Sequence, residues 1–404
     1  MDPVVLAIFV LVYLGMILGE IPGLALDRTG IALLGAIALV VVGRASPDGA
    51  LQLVDVPTIS LLFGLMVVSA QFRLGGFYFH VTRRLAGLEV SPPVLLLWLI
   101  AVSGILSALL ANDIVCLAMA PVLIEGCVRR KLDPVPFLLA LACASNVGSA
   151  MTLIGNPQNM LIGESLRLSF GGYLLDASVP SLLGLGVVWL VIVLQVRGRW
   201  TAPDKVEPDV ELTPLDRWQT AKGFLVIGAL LILFLATSFP RDVVALAAAG
   251  ILLSSRRMAS RELLGLVDWH LLVLFLGLFV VNGTLESSGT LAFAMRELSS
   301  MGIHFAEPGR LFLATAALSN LVSNVPAVML LLPYAQGPEA GAILALSSTL
   351  AGNLFVVGSI ANIIVLDQAR RLGVEIGWRR HARVGVPVTI ATLALAWLWL
   401  WLRH

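Results

Sequence analysis

Long runs of apolar residues recur along the whole chain, and they limit what it can fold into. Of its 404 residues, 58% are hydrophobic and only 13% are charged, whereas soluble domains carry about 25% charged residues. Many runs reach the ~20 residues that a helix needs to cross a bilayer. The sequence therefore predicts an all-α polytopic membrane protein that is embedded in a lipid bilayer. The net charge of +1 gives no indication of a nucleic-acid partner.

The apolar runs predict five crossing segments and one helical hairpin in each half of the chain. In the first half the crossing segments are 4–22, 28–43, 58–74, 134–166 and 173–196, with an interfacial stretch at 75–89 and a hairpin at 92–128. In the second half they are 219–238, 242–254, 269–286, 340–366 and 384–402, with an interfacial stretch at 289–305 and a hairpin around 323–325. A polar linker at 197–217 separates the two predicted repeats, 1–196 and 218–404.

The two halves are related by an internal repeat. Residues 55–85 align with 268–298, and Gly, Asn, Pro and Arg positions coincide as well as the hydropathy. The aligned pairs include Gly64 with Gly277, Asn112 with Asn324, Asn146 with Asn353, Gly155 with Gly358, and Asn159 with Asn362. Five crossings are an odd number, so the second copy would be inverted relative to the first.

The distribution of positive charge supports this topology. With the N-terminus outside and both hairpins re-entrant, 20 of the 26 Lys and Arg residues fall inside, as the positive-inside rule requires. The sequence thus predicts two inverted-topology repeats, with about ten transmembrane helices, two re-entrant hairpins and two broken helices. The predicted location is the cell inner membrane, with both termini outside and a cytoplasmic linker.

One crossing segment is interrupted by polar residues. Between Ala144 and Gly163 the chain reads A-S-N-V-G-S-A-M-T-L-I-G-N-P-Q-N-M-L-I-G. Backbone left unpaired in lipid costs several kcal/mol per group, so a broken helix there must line a cavity or contact protein. Residues 148–159 are predicted to be unwound and to hold a small polar solute or an ion, and residues 358–362 are predicted to be unwound in the second half. The alternative is a continuous polar helix that packs through small residues.

Each hairpin tip begins a second half-helix whose N-terminus presents free N–H groups at mid-membrane depth. Together with the broken helices, the tips predict two half-sites. Substrate binding is assigned to Asn112, Asn146, Asn156, Asn159, Ser323, Asn324, Asn353, Ser359 and Asn362, and ion coupling to Asp113, Thr152 and Gly155. No metal site and no cofactor are predicted. Helix capping is the alternative role for the tip residues, because Asn, Asp and Ser are favoured caps.

Asp113 differs from the other tip residues because it is a carboxylate near the predicted bilayer centre. An acid at that depth is a candidate functional group. It could carry a coupling proton or bind Na⁺, and its counterpart in the second half is Val325. Cys116 and Cys143 are more typical of buried small hydrophobic residues than of metalloid ligands. The five histidines fall in predicted loops or at span ends, which argues against a histidine proton relay.

These motifs resemble the ion transporter superfamily, within it the branch of arsenite permeases and sodium–proton antiporters, and they are related to the divalent anion/sodium symporters. The resemblance rests on A-N-D at 111–113, S-N-V-G-S-A-M-T-L-I-G-N-P-Q-N at 145–159, S-N-V-P-A-V at 323–328 and G-S-I-A-N-I-I-V at 358–365. It implies a scaffold region, a moving transport region and, often, a homodimer.

The resemblance and the polar spans together predict a secondary active transporter rather than an enzyme. The expected cargo is a small inorganic solute, an oxyanion or metalloid hydroxide such as arsenite or antimonite, exported in exchange for protons. Two alternatives stay open at this point. One is a Na⁺-coupled symporter of dicarboxylate or sulfate, and the other is a Na⁺/H⁺ antiporter with no larger cargo.

Overall fold

The computed structural model describes residues 2–19, 25–201, 213–300, 305 and 307–404. Over these ranges the chain forms twenty α-helices, two short 3-10 turns and no β-strand; an isolated bridge joins Leu132 to Thr201. Parts of the predicted linker (202–212), of the first span (20–22) and of the second interfacial stretch (301–304, with His304) lie outside the described residues.

The helices fall into two series with the same order. The first series is α1 (Pro3–Leu18), α2 (Arg28–Val41), α3 (Pro47–Gln52), α4 (Val56–Leu74), α5 (Phe77–Ala86), α6 (Pro92–Leu109), α7 (Asn112–Arg129), α8 (Pro134–Ser149), α9 (Pro157–Ser165) and α10 (Phe170–Val196). The second series is α11 (Arg217–Ala236), α12 (Arg241–Leu253), α13 (Ser260–Gly265), α14 (Trp269–Ser287), α15 (Thr290–Ser300), α16 (Pro308–Val322), α17 (Asn324–Leu331), α18 (Ala340–Ala351), α19 (Ile360–Arg371) and α20 (Trp378–Arg403).

This order confirms the predicted fold class. Each series has a hairpin, α6–α7 or α16–α17, and a broken helix, α8–α9 or α18–α19. Within the described ranges, six helices (α4, α6, α10, α11, α14 and α20) have the length and hydropathy of membrane spans. The short helices α3 and α13 were not predicted, and α20 begins at Trp378 rather than at 384.

Aspartates fix where equivalent helices begin in the two series. Asp55 Oδ1 accepts a hydrogen bond from Thr58 N (3.0 Å), and Asp268 Oδ1 accepts one from Leu271 N (2.9 Å). A side-chain oxygen at this position satisfies an N–H group that has no partner inside the helix. The same cap therefore starts α4 and α14, which explains why Asp55 and Asp268 align in the sequence.

Contacts between loops define two sides of the molecule. On side 1, which holds both chain termini, ion pairs join Asp2 to Arg44 (2.9 Å), Glu164 to Arg241 (2.8 Å) and Asp176 to Arg403 (2.5 Å). On side 2, backbone hydrogen bonds join Asp133 N to Trp200 O (2.8 Å) and Asp216 N to Gly75 O (3.0 Å). The described residues at both ends of the linker thus lie on side 2.

The positions of the helix ends on side 1 and side 2 show that the two series of helices run in opposite directions. Helix α1 starts on side 1 at Asp2, whereas its counterpart α11 starts on side 2 at Asp216. The first hairpin enters and leaves on side 2, because Arg130 at the end of α7 donates to Leu88 O and Val90 O (2.8 Å each) before the start of α6. The first hairpin is therefore re-entrant, as predicted.

Two glycines allow close helix contacts at equivalent places in the two series. A Cβ on Gly64 of α4 would lie 2.6 Å from Ala245 O of α12, and one on Gly277 of α14 would lie 2.8 Å from Ala32 O of α2. Both clashes are with backbone, which cannot rotate away. The α4–α12 and α2–α14 pairs therefore depend on a bare backbone at these positions.

Replacing Gly277 with alanine is expected to destabilise the protein by about 1–3 kcal/mol, the usual cost of overpacking a tight contact. The readout is the melting temperature of the purified protein in detergent. Gly228→Ala in α11 is the matched control, because a Cβ there meets nothing within 4 Å and the gain in helix propensity is the same. Equal melting temperatures for the two variants would contradict the predicted close contact.

The unwound segment of the first broken helix is shorter than predicted, and that of the second broken helix begins earlier in the chain than predicted. In the first half only 150–156 are non-helical, because Pro157 starts α9 and Asn156 Oδ1 accepts from Asn159 N (2.9 Å) as its cap. In the second half the break covers 352–359 and contains the 3-10 turn Val356–Gly358. Residues 360–362, predicted to be unwound, belong to α19.

Candidate functional site

The last turn of α8 places one amide, Asn146, between the two halves of the chain. Its side chain is 1% exposed. Its Nδ2 donates to Asn353 Oδ1 (2.9 Å) and Asn362 Oδ1 (3.2 Å), and its Oδ1 accepts from Ser359 Oγ (2.8 Å). An amide offers two donor hydrogens and two acceptor lone pairs. Three of these four positions bind residues of the second half.

Thr349 of α18 is the counterpart of Asn146: it belongs to the second half and contacts residues of the first half. Its Oγ1 accepts from Asn156 Nδ2 (3.3 Å) and Gln158 Nε2 (3.1 Å), and it donates to Asn159 Oδ1 (3.4 Å). The start of α9 therefore contacts α18 in the way that the start of α19 contacts α8.

The sequence alignment of Asn146 with Asn353 is wrong as a structural equivalence. Asn146 lies inside α8, whereas Asn353 lies in the unwound segment after α18. Thr349 is ten residues before Ser359, as Asn146 is ten residues before Asn156. Each broken helix completes its hydrogen bonds on the other copy, so the residues of the two predicted half-sites are joined in one polar region.

Removing the hydroxyl of Thr349 is expected to destabilise the protein. Thr349→Val keeps the shape of the side chain but leaves three amide groups of α9 without this partner, and an unpaired buried polar group costs about 1–3 kcal/mol. We expect a lower melting temperature for Thr349→Val and a nearly unchanged one for Thr349→Ser. Thr389→Val is the matched control, because Thr389 is 2% exposed and its Oγ1 has no partner among the described residues. A fall of the same size in the control would contradict the assigned role.

The first hairpin tip is attached to the broken helix of its own half. Asn112 N donates to Gly155 O (3.3 Å), and the Thr152 hydroxyl donates to Ala108 O (2.5 Å) near the end of α6. Asn112 Nδ2 lies 3.5 Å from Asn146 Oδ1, at the limit of a hydrogen bond. Thr152 and Gly155 therefore position the tip in this structure, and their role in ion coupling stays a prediction.

The second hairpin tip contacts both broken helices through Asn324. With its amide nitrogen towards Gly358 O (3.1 Å) and Ser348 O (3.2 Å), its oxygen accepts from Gln158 Nε2 (3.2 Å). The preceding residue, Ser323, has φ +76° and ψ 162°, a conformation that costs a residue other than glycine about 1–3 kcal/mol. Ser323, which borders the candidate site, therefore has a strained backbone conformation.

Helix capping does not explain the tip residues. Ala111 is the cap of α7 and Ser323 the cap of α17, and neither helix has a side-chain cap hydrogen bond. The capping alternative is therefore wrong for Asn112, Asp113, Ser323 and Asn324. The amides of Asn112 and Asn324 instead contact the broken helices.

A cavity of about 20 Å³ lies where the two tips meet the two broken helices. On this measure ~10–15 Å³ is enough for one water molecule, so the space accepts a water or a small ion. The lining consists of Asn112, Asp113, Asn156, Pro157, Gln158, Leu271, Ser323, Asn324, Val325, Ser359 and Ile360. This set contains five of the nine predicted substrate residues. The other four, which do not line the cavity, are Asn146, Asn159, Asn353 and Asn362.

Asp113 is the only ionisable residue among those that line this cavity. Its side chain is half-buried, and no hydrogen bond or ion pair to its carboxylate occurs among the described residues. It also borders an apolar cavity of about 30 Å³ formed with Met66, Met160 and other residues. Val325, its counterpart in the second half, lines the first cavity as well. The chemistry of the two halves therefore differs at this one pair of positions.

Sequence reasoning missed three residues that contribute to this region. Thr349 and Gln158 join α18 to α9, and the spacing of Thr349 from the break was the signal that could have identified it. His381 was placed in a loop or at a span end, but it is 1% exposed and its Nε2 lies 3.1 Å from Asn353 O. The cationic sequence around it, R-R-H-A-R, suggested a solvated segment before the last span.

The chain is similar in sequence and fold to known membrane transporters. It is 28% identical to the silicon efflux transporter LSI3 of Oryza sativa subsp. japonica, over 92% of both chains. It is also 28% identical to the inner membrane protein YbiR of Escherichia coli, over 81% of this chain and 83% of that protein. The crystal structure of the Alcanivorax borkumensis YdaH transporter superposes with a TM-score of 0.61 at 16% identity, covering 99% of this chain and 98% of the other.

A family model matches most of the chain. The model described as CitMHS, citrate transporter, matches residues 9–344, which include both hairpins and the first broken helix. The protein belongs to the CitMHS family of transporters.

Proposed function

We propose that this protein is a secondary transporter that exports a small metalloid hydroxide or oxyanion, of the arsenite or antimonite type, in exchange for protons. Asn112, Asn156, Ser323, Asn324 and Ser359 would bind the solute at the cavity, with Asn146, Asn159, Asn353 and Asn362 holding the two broken helices in place. Asp113 would carry the proton. We also propose that the chain is related to the arsenite permease branch of its superfamily.

The composition of the cavity is the observation that supports this proposal. Its lining offers amides, hydroxyls and the start of a half-helix, but no Lys, Arg or His. A multiply charged anion transferred from water needs cationic partners or bound cations to offset its desolvation. A neutral hydroxide needs only hydrogen-bond donors and acceptors, which this cavity supplies.

The sign of the coupling follows from the chemistry of Asp113. An ionised carboxylate accepts strong, charge-assisted hydrogen bonds from the hydroxyl groups of a neutral solute. Protonation removes the charge that strengthens these hydrogen bonds, so the proton and the solute weaken each other's binding, and this competition is what an exchanger requires. An anionic solute would instead bind best when Asp113 is protonated, which gives co-transport. Exchange for protons is therefore the coupling expected for a neutral hydroxide.

The description of the family, citrate transporter, supports a second candidate that carries a carboxylate, and we propose this candidate as a Na⁺-coupled symporter of dicarboxylate or sulfate. A bound Na⁺ beside Asp113 would supply the positive charge that the cavity lacks. A third candidate, a Na⁺/H⁺ antiporter, needs no further solute. The silicon efflux relative supports the first candidate, because its cargo is also a small inorganic solute that leaves the cell.

Flux measurements in proteoliposomes separate the three candidates. Purified protein is reconstituted, and a pH gradient or a Na⁺ gradient is imposed with arsenite, antimonite, silicate, sulfate, succinate or citrate. We expect a pH gradient alone to drive arsenite or antimonite movement opposite to the protons. Carboxylate uptake that requires Na⁺ would replace our proposal with the symporter, and Na⁺/H⁺ exchange without solute would replace it with the antiporter.

The surroundings of the protein are part of the proposal. We propose a multi-pass protein of the inner membrane with side 1 outside and side 2 in the cytoplasm, and with 1–196 and 218–404 as the two repeats on either side of a cytoplasmic linker. A homodimer without cofactor or enzymatic activity completes this proposal. Accessibility of single cysteines introduced near the termini, labelled in intact cells, tests the orientation.

A further inference from the structure

A second and much larger cavity opens on side 2, away from the polar core. Its volume is about 730 Å³, and it lies where α8 and α20 begin and α10 ends. Charged groups line its rim, and the residues that carry the charge are Asp133, Arg197, Arg199, Arg380 and Arg383. The proposed solute pathway uses none of these residues.

The rim has a large excess of positive charge. Among the described residues of the lining, four guanidinium groups face one carboxylate, which gives a formal charge of +3. Asp133 forms an ion pair with Arg380. Arg197, Arg199 and Arg383 have no carboxylate partner among the described residues. The planar donor fork of arginine matches the oxygens of a phosphate group.

The inner wall of this cavity is apolar. Val135 and Leu139 of α8, Ile192 of α10 and Val384 of α20 form it. The volume lies in the range of about 300–1,000 Å³ that is typical of sites for organic ligands, which is far more than one free phosphate fills. Basic pockets at the ends of transmembrane helices are a known setting for anionic lipid headgroups.

We propose that this cavity binds the headgroup of an anionic phospholipid. The phosphate lies between Arg197, Arg199 and Arg383, and the first part of an acyl chain follows the apolar wall formed by Val135 and Leu139. The cavity lies on side 2 where α10 ends and α20 begins, which is the level of the lipid headgroups in the proposed orientation.

The lipid site is connected to the polar core through one turn of α20. Arg380 and Arg383 flank His381, whose Nε2 lies 3.1 Å from Asn353 O. Asn353 in turn accepts from Asn146 (2.9 Å). A lipid held by Arg383 therefore fixes the turn of the helix that contacts the core, and binding should be visible as a gain in thermal stability.

The test measures the melting temperature of the full-length protein in detergent with added phosphatidylglycerol or phosphatidylcholine. We expect phosphatidylglycerol to raise it by about 3–6 °C relative to phosphatidylcholine. The triple variant Arg197→Gln, Arg199→Gln, Arg383→Gln should lose at least three quarters of that shift. The matched control is Arg256→Gln, Arg257→Gln, Arg261→Gln, which removes the same charge from exposed residues in the α12–α13 loop and the first turn of α13.

Two outcomes would overturn the proposal. An equal shift in the two triple variants would mean that phosphatidylglycerol acts through general charge and not through this cavity. Inorganic phosphate that reproduces the full shift, and then prevents any further gain from phosphatidylglycerol, would assign the cavity to a soluble anion instead. Because the measurement does not use transport, it stays informative whichever solute the protein carries.

Discussion

Asn146→Ala is expected to reduce transport at least tenfold while the protein still folds into the membrane. The variant leaves Asn353 Oδ1, Asn362 Oδ1 and the Ser359 hydroxyl without the amide that now joins them. Hydrogen bonds between membrane helices average about 0.6 kcal/mol, so three together contribute about 1.8 kcal/mol even at this low value. A loss of 1.36 kcal/mol from the transition state already lowers a rate about tenfold.

The measurement combines flux in proteoliposomes with the melting temperature of the same preparation. Ser103→Ala is the matched control, because Ser103 is fully buried and its hydroxyl bonds only to Leu99 O (2.8 Å) and Ile100 O (3.4 Å) of its own helix. We expect this control to transport at close to the wild-type rate. Wild-type flux in Asn146→Ala would show that the junction between the two halves is not needed for transport.

Asp113→Asn is expected to remove proton coupling and to leave solute exchange. The amide keeps a hydrogen-bond acceptor for the solute but cannot release a proton, so a pH gradient no longer has a group on which to act. We expect flux driven by a pH gradient to fall at least tenfold. Exchange of labelled for unlabelled solute at equal pH should persist, because it requires binding and movement but no change in protonation.

The exposed acid Asp48 at the start of α3 provides the control substitution, Asp48→Asn. It changes the net charge by the same amount and lies in a surface segment of side 1. Unchanged pH-driven flux in Asp113→Asn would remove the proton-carrier role from this residue. Loss of both pH-driven flux and exchange would assign Asp113 to solute binding rather than to coupling.

The fold was predictable from the sequence because membrane solvation allows few solutions. An apolar run of about twenty residues must be a helix, and an odd number of crossings per repeat inverts the second copy. The aspartate caps at Asp55 and Asp268 and the prolines at the first helical positions marked several helix starts within one or two residues. The break before α9 was visible because Gly155-Asn156-Pro157 cannot continue a helix.

The connections within the polar core were less predictable. Which amide binds which depends on how α9 lies against α18 and α19 against α8, and one sequence contains no information on distances between helices. The alignment followed residue identity and paired Asn146 with Asn353, whereas the structure follows distance from the break and pairs Asn146 with Thr349. His381 was missed because arginines surround it in the sequence, although its own side chain faces the core.

The single acid at the hairpin tips has an energetic consequence for the proposed exchange. Asp113 in one tip corresponds to Val325 in the other, and it is the only ionisable residue among the described residues of the lining. This lining would therefore take up one proton per cycle. Exchange of one proton for a neutral solute moves one positive charge across the membrane, and a potential of 100 mV then contributes about 2.3 kcal/mol. At 1.4 kcal/mol per factor of ten, voltage alone would sustain an outward solute gradient of about fifty-fold. A protein of this kind would continue to export its cargo when the pH on the two sides is equal.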